Sequence, residues 1–583
     1  MLLNKGSGCK HSFRPRPHEI CVDRSAARAY DAGDGGSGMF SGVYFILLLG
    51  ALILVHELGH FVVAKLSGVR VLTFSLGFGP ALLRRKWGDT EYRLAAIPLG
   101  GYVRMFGDEP DSDVPQSERG AAFNYKPLPL RTAIVLAGPV MNLLLPFVVF
   151  FLMFVSRSEL EPAYIGAVKG GGPAAEAGLR AGDRVVRMDG EEIAYWWELE
   201  TRINASIGRP IDIEVARGEE TFSTTVVPET VEVERYPQLD MKEKEGRIQV
   251  IPLEARPLLW VPPGSGAEAA GLEHWDRVLS VDGKPVQAFS QVEQLLAGSG
   301  PHTLTVVREV PLAVLGHVLF NGYGKPFEVV LPDGAGAGLA DADLVVHSVD
   351  AGTPAESIGL KRGDRILTVD GESFPFWFLV ESYLAENVEE EHELVWTDGR
   401  EEHRAKFSLV PSTEKGEFNE ERKVVVFGVH NHADLGAPAD IPNQDRLAYA
   451  FRFTGMAVRD AFEITLASLG GLLVGKVPIR DLGGPILIYD MASKTEKYGW
   501  EFFFNLMAWL SISLGLINLF PIPVLDGGHL FFFAIEAVIR RPVPIRVRQV
   551  AAYFGLAVIL LLMVVVFRND IMRNWDTITG WFR

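Results

Sequence analysis

MFSGVYFILLLGALILVHELGH, Met39 to His60, begins with 17 residues without a charge and ends with two histidines and a glutamate. About 20 apolar residues are enough to cross the hydrocarbon core of a bilayer as a helix. The stretch therefore predicts a membrane-spanning helix that carries chemically reactive side chains. Ionisable groups are costly inside a membrane, so their presence there favours a functional site.

Three further segments lack charged residues, and they contain 25, 24 and 19 residues: 132–156, 502–525 and 549–567. Buried helices of soluble proteins rarely reach such lengths without a charge. Together with the 48% content of apolar residues, this pattern predicts a polytopic α-helical membrane protein. The four transmembrane helices are predicted at 39–66, 131–156, 501–526 and 549–567.

Charge is divided unevenly along the 583 residues. Residues 1–156 and 446–583 each carry +4, and because the whole chain is −17, residues 157–445 carry −25. The basic connections 67–130 and 527–548 are predicted to face the cytoplasm by the positive-inside rule. The acidic insert is then extracytoplasmic, and the lack of a basic patch argues against nucleic-acid binding.

The first 38 residues have neither apolar periodicity nor the apolar core of a signal peptide. We expect 1–38 to be a disordered extension or an over-long start, with Met39 as the true first residue. The extension holds the only two cysteines of the sequence. A zinc site of Cys9, His11, His18 and Cys21 is a weaker alternative, because its spacing fits no usual zinc pattern.

The acidic insert contains a sequence that occurs three times. The copies are GPAAEAGLRAGDRVVRMDGEEI from Gly172, SGAEAAGLEHWDRVLSVDGKPV from Ser265 and TPAESIGLKRGDRILTVDGESF from Thr353. Each copy predicts a short helix ended by glycine, a strand and an Asp-Gly hairpin turn. The copies start 93 and 88 residues apart, so each is a domain, predicted at 160–250, 251–334 and 335–433.

The repeats resemble PDZ domains, which bind extended chain ends by adding a strand to a sheet edge. The alternative is that they only fill volume outside the membrane. The middle copy has His274 and Trp275 where the others have Ala-Gly or Arg-Gly. Since Trp lacks the backbone freedom of Gly, we expect this copy to pack against its neighbours rather than to bind peptide.

The other segments follow from composition. Residues 67–130 contain two apolar, strand-like runs and predict a β-hairpin that dips into the membrane, although an ordinary cytoplasmic hairpin is the alternative. Irregular backbone at membrane depth needs cover from protein or a water-filled cavity. Amphipathic helices are predicted at 440–500, and residues 568–583 form a tail.

The reactive side chains of the first span fit a metal site. On a helix His56 and His60 project from one face, so that two imidazoles can bind one Zn²⁺, while Glu57 can accept a proton from water. A third protein ligand is then missing. It is predicted to be Asp526, the first carboxylate after the charge-free run, with His529 as a competitor.

The sequence around this carboxylate, NLFPIPVLDGGH, also predicts a broken helix. Pro521 and Pro523 interrupt it, and two glycines allow the backbone to turn. Asn518 is positioned either to hydrogen-bond a substrate carbonyl or to cap the preceding helix.

These motifs, with AGPVMN at Ala137 to Asn142 and PLGGYV before it, resemble the site-2 protease family from Met39 onward. The resemblance implies zinc-dependent hydrolysis of a peptide bond within the membrane, with His56, His60 and Asp526 as ligands and Glu57 as base. It further implies that Asn518, Pro521 and Pro523 hold the substrate. The usual relative has two PDZ copies, whereas this chain has three.

The implied substrates are single-pass membrane proteins, such as anti-sigma factors, that another protease has already cut outside a bacterial inner membrane. Two alternatives follow from the sequence. A non-catalytic PDZ receptor would have no need of Glu57, and a zinc protease that is merely anchored by its spans would not carry its motif inside the first span.

Overall fold

The computed structural model describes residues 38–108, 114–218, 220–236, 241–314, 317–336, 338–388, 390–415, 421–432, 435–436, 438–479 and 482–575. The extension with Cys9, His11, His18 and Cys21 lies outside these residues. The chain divides into two compact units. One, called here the insert unit, contains 159–415 and 421–443. The other, the membrane unit, contains the described parts of 32–158 and 444–583.

The helices and strands of the described residues are numbered in chain order. The helices are α1 Gly38–Leu66, α2 Leu128–Ser156, α3 Pro173–Glu176, α4 Trp196–Ala205, α5 Gly266–Ala269, α6 Phe289–Leu296, α7 Pro354–Ser357, α8 Trp377–Glu386, α9 Arg446–Leu473, α10 Pro485–Ser493, α11 Thr495–Asn518, α12 Asp526–Ile539 and α13 Ile545–Arg573.

The strands are mostly short. They are β1 Val71–Trp87, β2 Thr90–Met105, β3 Glu159–Leu160, β4 Ala167–Val168, β5 Arg184–Met188, β6 Glu191–Glu192, β7 Ile211–Arg217, β8 Glu220–Val226, β9 Glu229–Tyr236, β10 Met241–Arg247, β11 Val250–Ile251, β12 Glu254–Ala255, β13 Leu259–Trp260, β14 Arg277–Val281, β15 Lys284–Pro285, β16 His302–Val307, β17 Glu309–Val314, β18 His317–Tyr323, β19 Phe327–Leu331, β20 Ala340–Asp341, β21 Val346–Val349, β22 Arg365–Val369, β23 Glu391–Thr397, β24 Glu402–Ser408, β25 Val410–Lys415, β26 Glu421–Val426, β27 Val429–Asn431, β28 Leu435–Gly436 and β29 Ile441–Pro442.

Four helices of the membrane unit are long and apolar enough to cross a bilayer, as predicted. These candidate spans are Gly42–Leu66, Leu128–Ser156, Tyr498–Asn518 and Ile545–Arg573. The third ends at Asn518 rather than at 526, and α12 occupies the first part of the predicted connection 527–548. Proline lacks a backbone N–H and interrupts a helix, so Pro521 and Pro523 account for the early end.

Close packing joins helices α1, α2 and α11. A Cβ atom at Gly59 of α1 would lie 2.3 Å from the Ala137 carbonyl oxygen of α2, and one at Gly515 of α11 would lie 3.1 Å from the Pro139 carbonyl oxygen. Only glycine allows backbones to approach so closely, a common device between membrane helices. The three helices thereby form one packed group. By contrast, α13 is mostly exposed, with only 6% of its most apolar 18-residue segment buried.

A buried carboxylate connects the last span to the short helix α10. Asp570 is fully buried, and its oxygens accept hydrogen bonds from the backbone N–H groups of Gly484, Ile486 and Leu487 at 3.0, 3.0 and 3.3 Å. A helix N-terminus leaves such donors without intrahelical partners and attracts negative charge. This contact anchors α13, which packs little elsewhere.

The segment between α1 and α2 is a long antiparallel β-hairpin of β1 and β2. Its pairing runs from Val71 opposite Met105 to Trp87 opposite Thr90 and is irregular along its length. Gly101 of β2 lies against α1, where a Cβ atom would be 2.9 Å from Cγ2 of Ile53 and 3.2 Å from Cγ of Glu57. The hairpin is therefore positioned beside the histidine motif.

The insert unit contains three α/β modules that follow the three sequence copies. Their sheets have the strand orders β6-β5-β7-β8, β15-β14-β16-β19 and β22-β23-β24. The aspartates of the three Asp-Gly turns, Asp189, Asp282 and Asp370, share a left-handed φ of 49, 51 and 51°. Each accepts a backbone hydrogen bond from the neighbouring strand. The repeated sequence thus builds a repeated local structure.

The middle module packs against the third through its unusual residue pair, as the sequence predicts. Trp275 is buried, its ring lies 5.1 Å from that of His347, and the Arg362 guanidinium lies 4.3 Å above it. Trp275 also has φ 66°, close to the 93° of Gly363 at the same place in the third copy. Trp275 therefore adopts the left-handed backbone that glycine has at this place in the third copy. This conformation costs an L-residue about 1–2 kcal/mol, and packing at the junction offsets it.

Candidate metal centre

Three polar side chains converge inside the membrane unit. His56 and His60 lie one turn apart on α1, and their Nε2 atoms are 3.3 Å from each other. The Oδ2 atom of Asp526 lies 3.2 Å from Nε2 of His56 and 3.4 Å from Nε2 of His60. The structure therefore brings together the two histidines of the first span and a residue 466 positions after His60 in the chain.

The broken helix presents Asp526. The chain turns between α11 and α12, and a Cβ atom at Gly527 or Gly528 would lie 2.1 or 2.4 Å from the carbonyl oxygens of Phe520 or Ile522. Only glycine fits at both positions, because the backbone of the turn lies so close to the first residues of α12. Asp526 is the first residue of this helix, which directs its carboxylate toward α1.

The donor set fits zinc. Two imidazole nitrogens and one carboxylate oxygen lie within 4.8 Å of one another. Catalytic zinc sites commonly use three protein ligands of these types and leave a fourth position open. Within the described part of the chain, this is the one group of three or more His, Cys, Asp or Glu residues with such geometry. His56, His60 and Asp526 are thus the residues that could hold the ion.

The far nitrogens of both rings also have partners. Nδ1 of His60 lies 2.8 Å from the carbonyl oxygen of Ile134 on α2. A carbonyl can only accept, so this contact places the proton on Nδ1 and leaves Nε2 free for a metal. Nδ1 of His56 lies 3.2 Å from the side-chain amide of Asn142, also on α2. Span α2 therefore orients both histidines.

Glu57 is half-buried on the turn of α1 that carries the two histidines, next to the β2 strand at Gly101. Its position lets a carboxylate face the space between the histidine motif and the hairpin. If the two histidines hold a metal ion, a carboxylate at this position could transfer protons beside it.

The remaining predicted residues line the break. Asn518 is the last residue of α11, and Pro521 is exposed. Pro523 packs against Gly555 of α13, where a Cβ atom would lie 3.1 Å from Cδ of Pro523. His529 is exposed on the membrane unit and is not a member of the three-residue group. The geometry therefore favours Asp526 over His529 as the third ligand.

An ion pair fixes the helix that begins with Asp526. Arg131 of α2 donates to both carboxylate oxygens of Glu536 on α12, at 2.5 and 3.4 Å, and Arg548 of α13 lies 3.5 Å from the same carboxylate. Arg131 is 8% exposed, and buried bidentate pairs are geometrically specific. The pair could not be predicted from local sequence, because the two partners are 405 residues apart.

We expect Gly138→Ala to disrupt the centre. A Cβ atom at this position of α2 would lie 2.2 Å from Nε2 of His60 and 2.9 Å from Nε2 of His56, so a helix or a ring must shift. A displacement near 1 Å can reduce activity about 100-fold. Zinc analysis and a cleavage assay on the purified variant measure the effect. Gly455→Ala on α9, where a Cβ atom meets no described residue within 4 Å, is the control and should change neither quantity. Equal behaviour of the two variants would contradict the close packing at Gly138.

Comparison with known proteins agrees with this geometry. Residues 44–562 match the family described as peptidase family M50. The chain is 30% identical over 539 residues to the regulator of sigma-E protease RseP of Escherichia coli, covering 91% of this chain and 98% of the relative. It is 29% identical to protease RseP of Yersinia pestis with the same coverage. A protein of Ralstonia nicotianae with the provisional name zinc metalloprotease is 31% identical over 555 residues, 92% of this chain and 99% of that protein.

Four apolar helices and a group of two imidazoles and a carboxylate, together with these relatives, define a zinc metalloprotease of a membrane. More specifically, the chain belongs to peptidase family M50, the site-2 proteases.

Proposed function

We propose that the protein is an intramembrane zinc endopeptidase that cuts single-pass membrane proteins within or next to their spans. The observation that carries the proposal is the meeting of Asp526 with His56 and His60, because the histidines lie inside a helix that is apolar enough to span a bilayer. A metal site at that depth would serve no purpose for a protease acting only on soluble substrates.

In the proposed mechanism His56, His60 and Asp526 hold the ion, and Glu57 is the general base. Zinc, when bound, polarises the scissile carbonyl and makes a water molecule easier to deprotonate. Glu57 removes a proton from the attacking water and later delivers it to the leaving amide nitrogen. The ion pair between Arg131 and Glu536 keeps α12 against α2 and so holds Asp526 in place.

The substrate helix must unwind before its backbone can reach the site, and its freed N–H and C=O groups then need partners. We assign this role to the β1–β2 hairpin, which forms a two-stranded sheet in the described part of the chain and lies beside Glu57. Asn518, Pro521 and Pro523, at the break after α11, are proposed to hold the substrate.

The basic connections, the acidic insert and the relatives favour a bacterial inner membrane with the insert outside the cytoplasm. The substrates are then membrane proteins, such as anti-sigma factors, left by a first cut in their outer domain. Comparing membrane proteomes from cells with the unchanged protein and with Glu57→Gln tests this. Single-span stubs should accumulate only in the variant; identical proteomes would instead favour the non-catalytic receptor.

The three modules of the insert unit are proposed to be PDZ-like domains that restrict access to the site. A protease that cuts within spans must spare intact membrane proteins. An array of this size can exclude substrates with large outer domains, or it can capture the new carboxyl end left by a first cut. We favour size exclusion, because the middle module uses Trp275 for packing against the third. Size exclusion does not require every module to bind a chain end.

We expect deletion of 160–433, with a short linker between the second span and α9, to leave the chemistry intact but to admit uncut substrates. The measurement is cleavage of matched full-length and trimmed substrates by the purified deletion variant. The unchanged protein should cut only the trimmed form, and the variant should cut both at similar rates.

Point substitutions in the carboxylate-binding edge of the first or third module separate the two mechanisms. Size exclusion predicts no effect on trimmed substrate, whereas end capture predicts slower cleavage. If the deletion variant still discriminates as the complete protein does, the filter lies elsewhere and this role for the insert unit is wrong.

A further inference from the structure

Asn142 of α2 is fully buried beside the metal centre. Its Nδ2 atom lies 3.2 Å from Nδ1 of His56, and its Oδ1 atom is buried without a hydrogen-bond partner among the residues that the structure describes. Its backbone carbonyl accepts a hydrogen bond from Ser511 of α11 at 2.7 Å. The residue is thus held between two spans with its amide against a histidine.

The amide orientation depends on what His56 binds. With the ion on Nε2, the neutral imidazole carries its proton on Nδ1, which then needs an acceptor. Nδ2 of Asn142 is a donor and cannot fill that role, whereas Oδ1 can. Exchange of the two amide atoms by rotation of the side chain places Oδ1 against Nδ1–H, where it accepts a hydrogen bond, and moves Nδ2 to the buried position that Oδ1 now occupies.

We propose that Asn142 is a positioning residue that accepts a hydrogen bond from Nδ1–H of His56, fixing the tautomer and ring orientation that direct Nε2 at zinc. The inference rests on the proposed ligand set. It parallels the contact of His60 with the Ile134 carbonyl, so that each histidine has its own acceptor on α2. Partners of this kind typically affect metal affinity 10- to 100-fold.

The experiment compares Asn142→Leu, Asn142→Asp and Ser511→Ala in the purified full chain. Zinc affinity is measured by competition with a chelator, and the visible absorption spectrum of the Co²⁺-substituted protein reports ligand geometry. Leucine has a similar size but no acceptor, so zinc affinity should fall about 10- to 100-fold and the Co²⁺ spectrum should change. Aspartate supplies an acceptor and should restore both readouts.

The Ser511→Ala variant is the control for packing, since it removes a contact of the Asn142 backbone but keeps the amide. It should bind zinc normally, and an equal loss in Ser511→Ala and Asn142→Leu would overturn the proposal. Should the leucine variant fail to fold, a 10-fold loss of affinity in Asn142→Asp would overturn it instead.

His56→Ala distinguishes failure of the positioning role from failure of the proposed ligand set. If it loses zinc while both Asn142 variants bind it normally, the positioning role is wrong and the proposed function stands. If His56→Ala retains zinc at full affinity, the ligand set is wrong and this inference falls with it.

Discussion

Purified Glu57→Gln is expected to contain as much zinc as the unchanged protein and to show no cleavage of a model transmembrane substrate above background. The carboxamide has nearly the size of the carboxylate but cannot accept the proton from water. General-base catalysis contributes about 10²- to 10⁴-fold, enough to remove detectable turnover. Glu57 is not a member of the three-residue metal group, so zinc content should not change.

Glu463→Gln provides the matched control, because Glu463 lies on α9 and forms an ion pair with Arg459. It makes the same chemical change in the same unit and should leave both zinc and cleavage unchanged. Retained proteolysis by Glu57→Gln would rule out the proposed base. Loss of zinc in that variant would show that Glu57 supports the metal centre rather than acting on water.

Asp526→Ala should lose most of its zinc, whereas His529→Ala should keep it. Removing one of three protein ligands leaves two imidazoles, and the loss of affinity should exceed the 10- to 100-fold effect of outer contacts. His529 is three residues further along α12, exposed, and outside the three-residue group. Metal analysis of both purified variants after dialysis against a weak chelator measures the difference.

These two variants are each other's control, since both shorten a polar side chain in the first turn of the same helix. Zinc loss in the His529 variant alone would reverse the assignment of the third ligand. Zinc loss in neither would mean that the convergence of Asp526 with the histidines does not represent a metal site.

Much of the site could be predicted from local sequence. The spacing in HELGH places two histidines on one face of any helix that contains it. The charge-free run before the motif predicts that this helix lies in a membrane. Asp526 could be proposed although it is distant in sequence, because it is the first carboxylate after an apolar run that prolines interrupt. The break after Asn518 follows from the same prolines.

The contacts around the ligands could not be predicted. Asn142 lies 86 residues from His56, and their contact depends on how closely α1 and α2 approach at Gly59 and Gly138. No local pattern determines that register. The sequence predicts only a connection at 527–548, and the bidentate ion pair of α12 with Arg131 becomes visible only when α2 and α12 are side by side.

The repeats show a different limit of prediction from sequence. Their sequence period predicts three modules and the packing role of the middle one, but the general preference of Trp for negative φ does not hold at Trp275. Burial among residues of the third module, such as His347 and Arg362, overrides the local preference. Only the tertiary environment supplies that stabilisation.

The most direct test of the central claim is the mass of the products that the purified, reconstituted protein makes from a single-span substrate. The proposed centre predicts a cut within the apolar segment of the substrate or at its border, abolished by a zinc chelator and restored by added Zn²⁺. Cleavage confined to the soluble flanks of the substrate, or cleavage that persists in the chelator, would contradict an intramembrane zinc protease built on His56, His60 and Asp526.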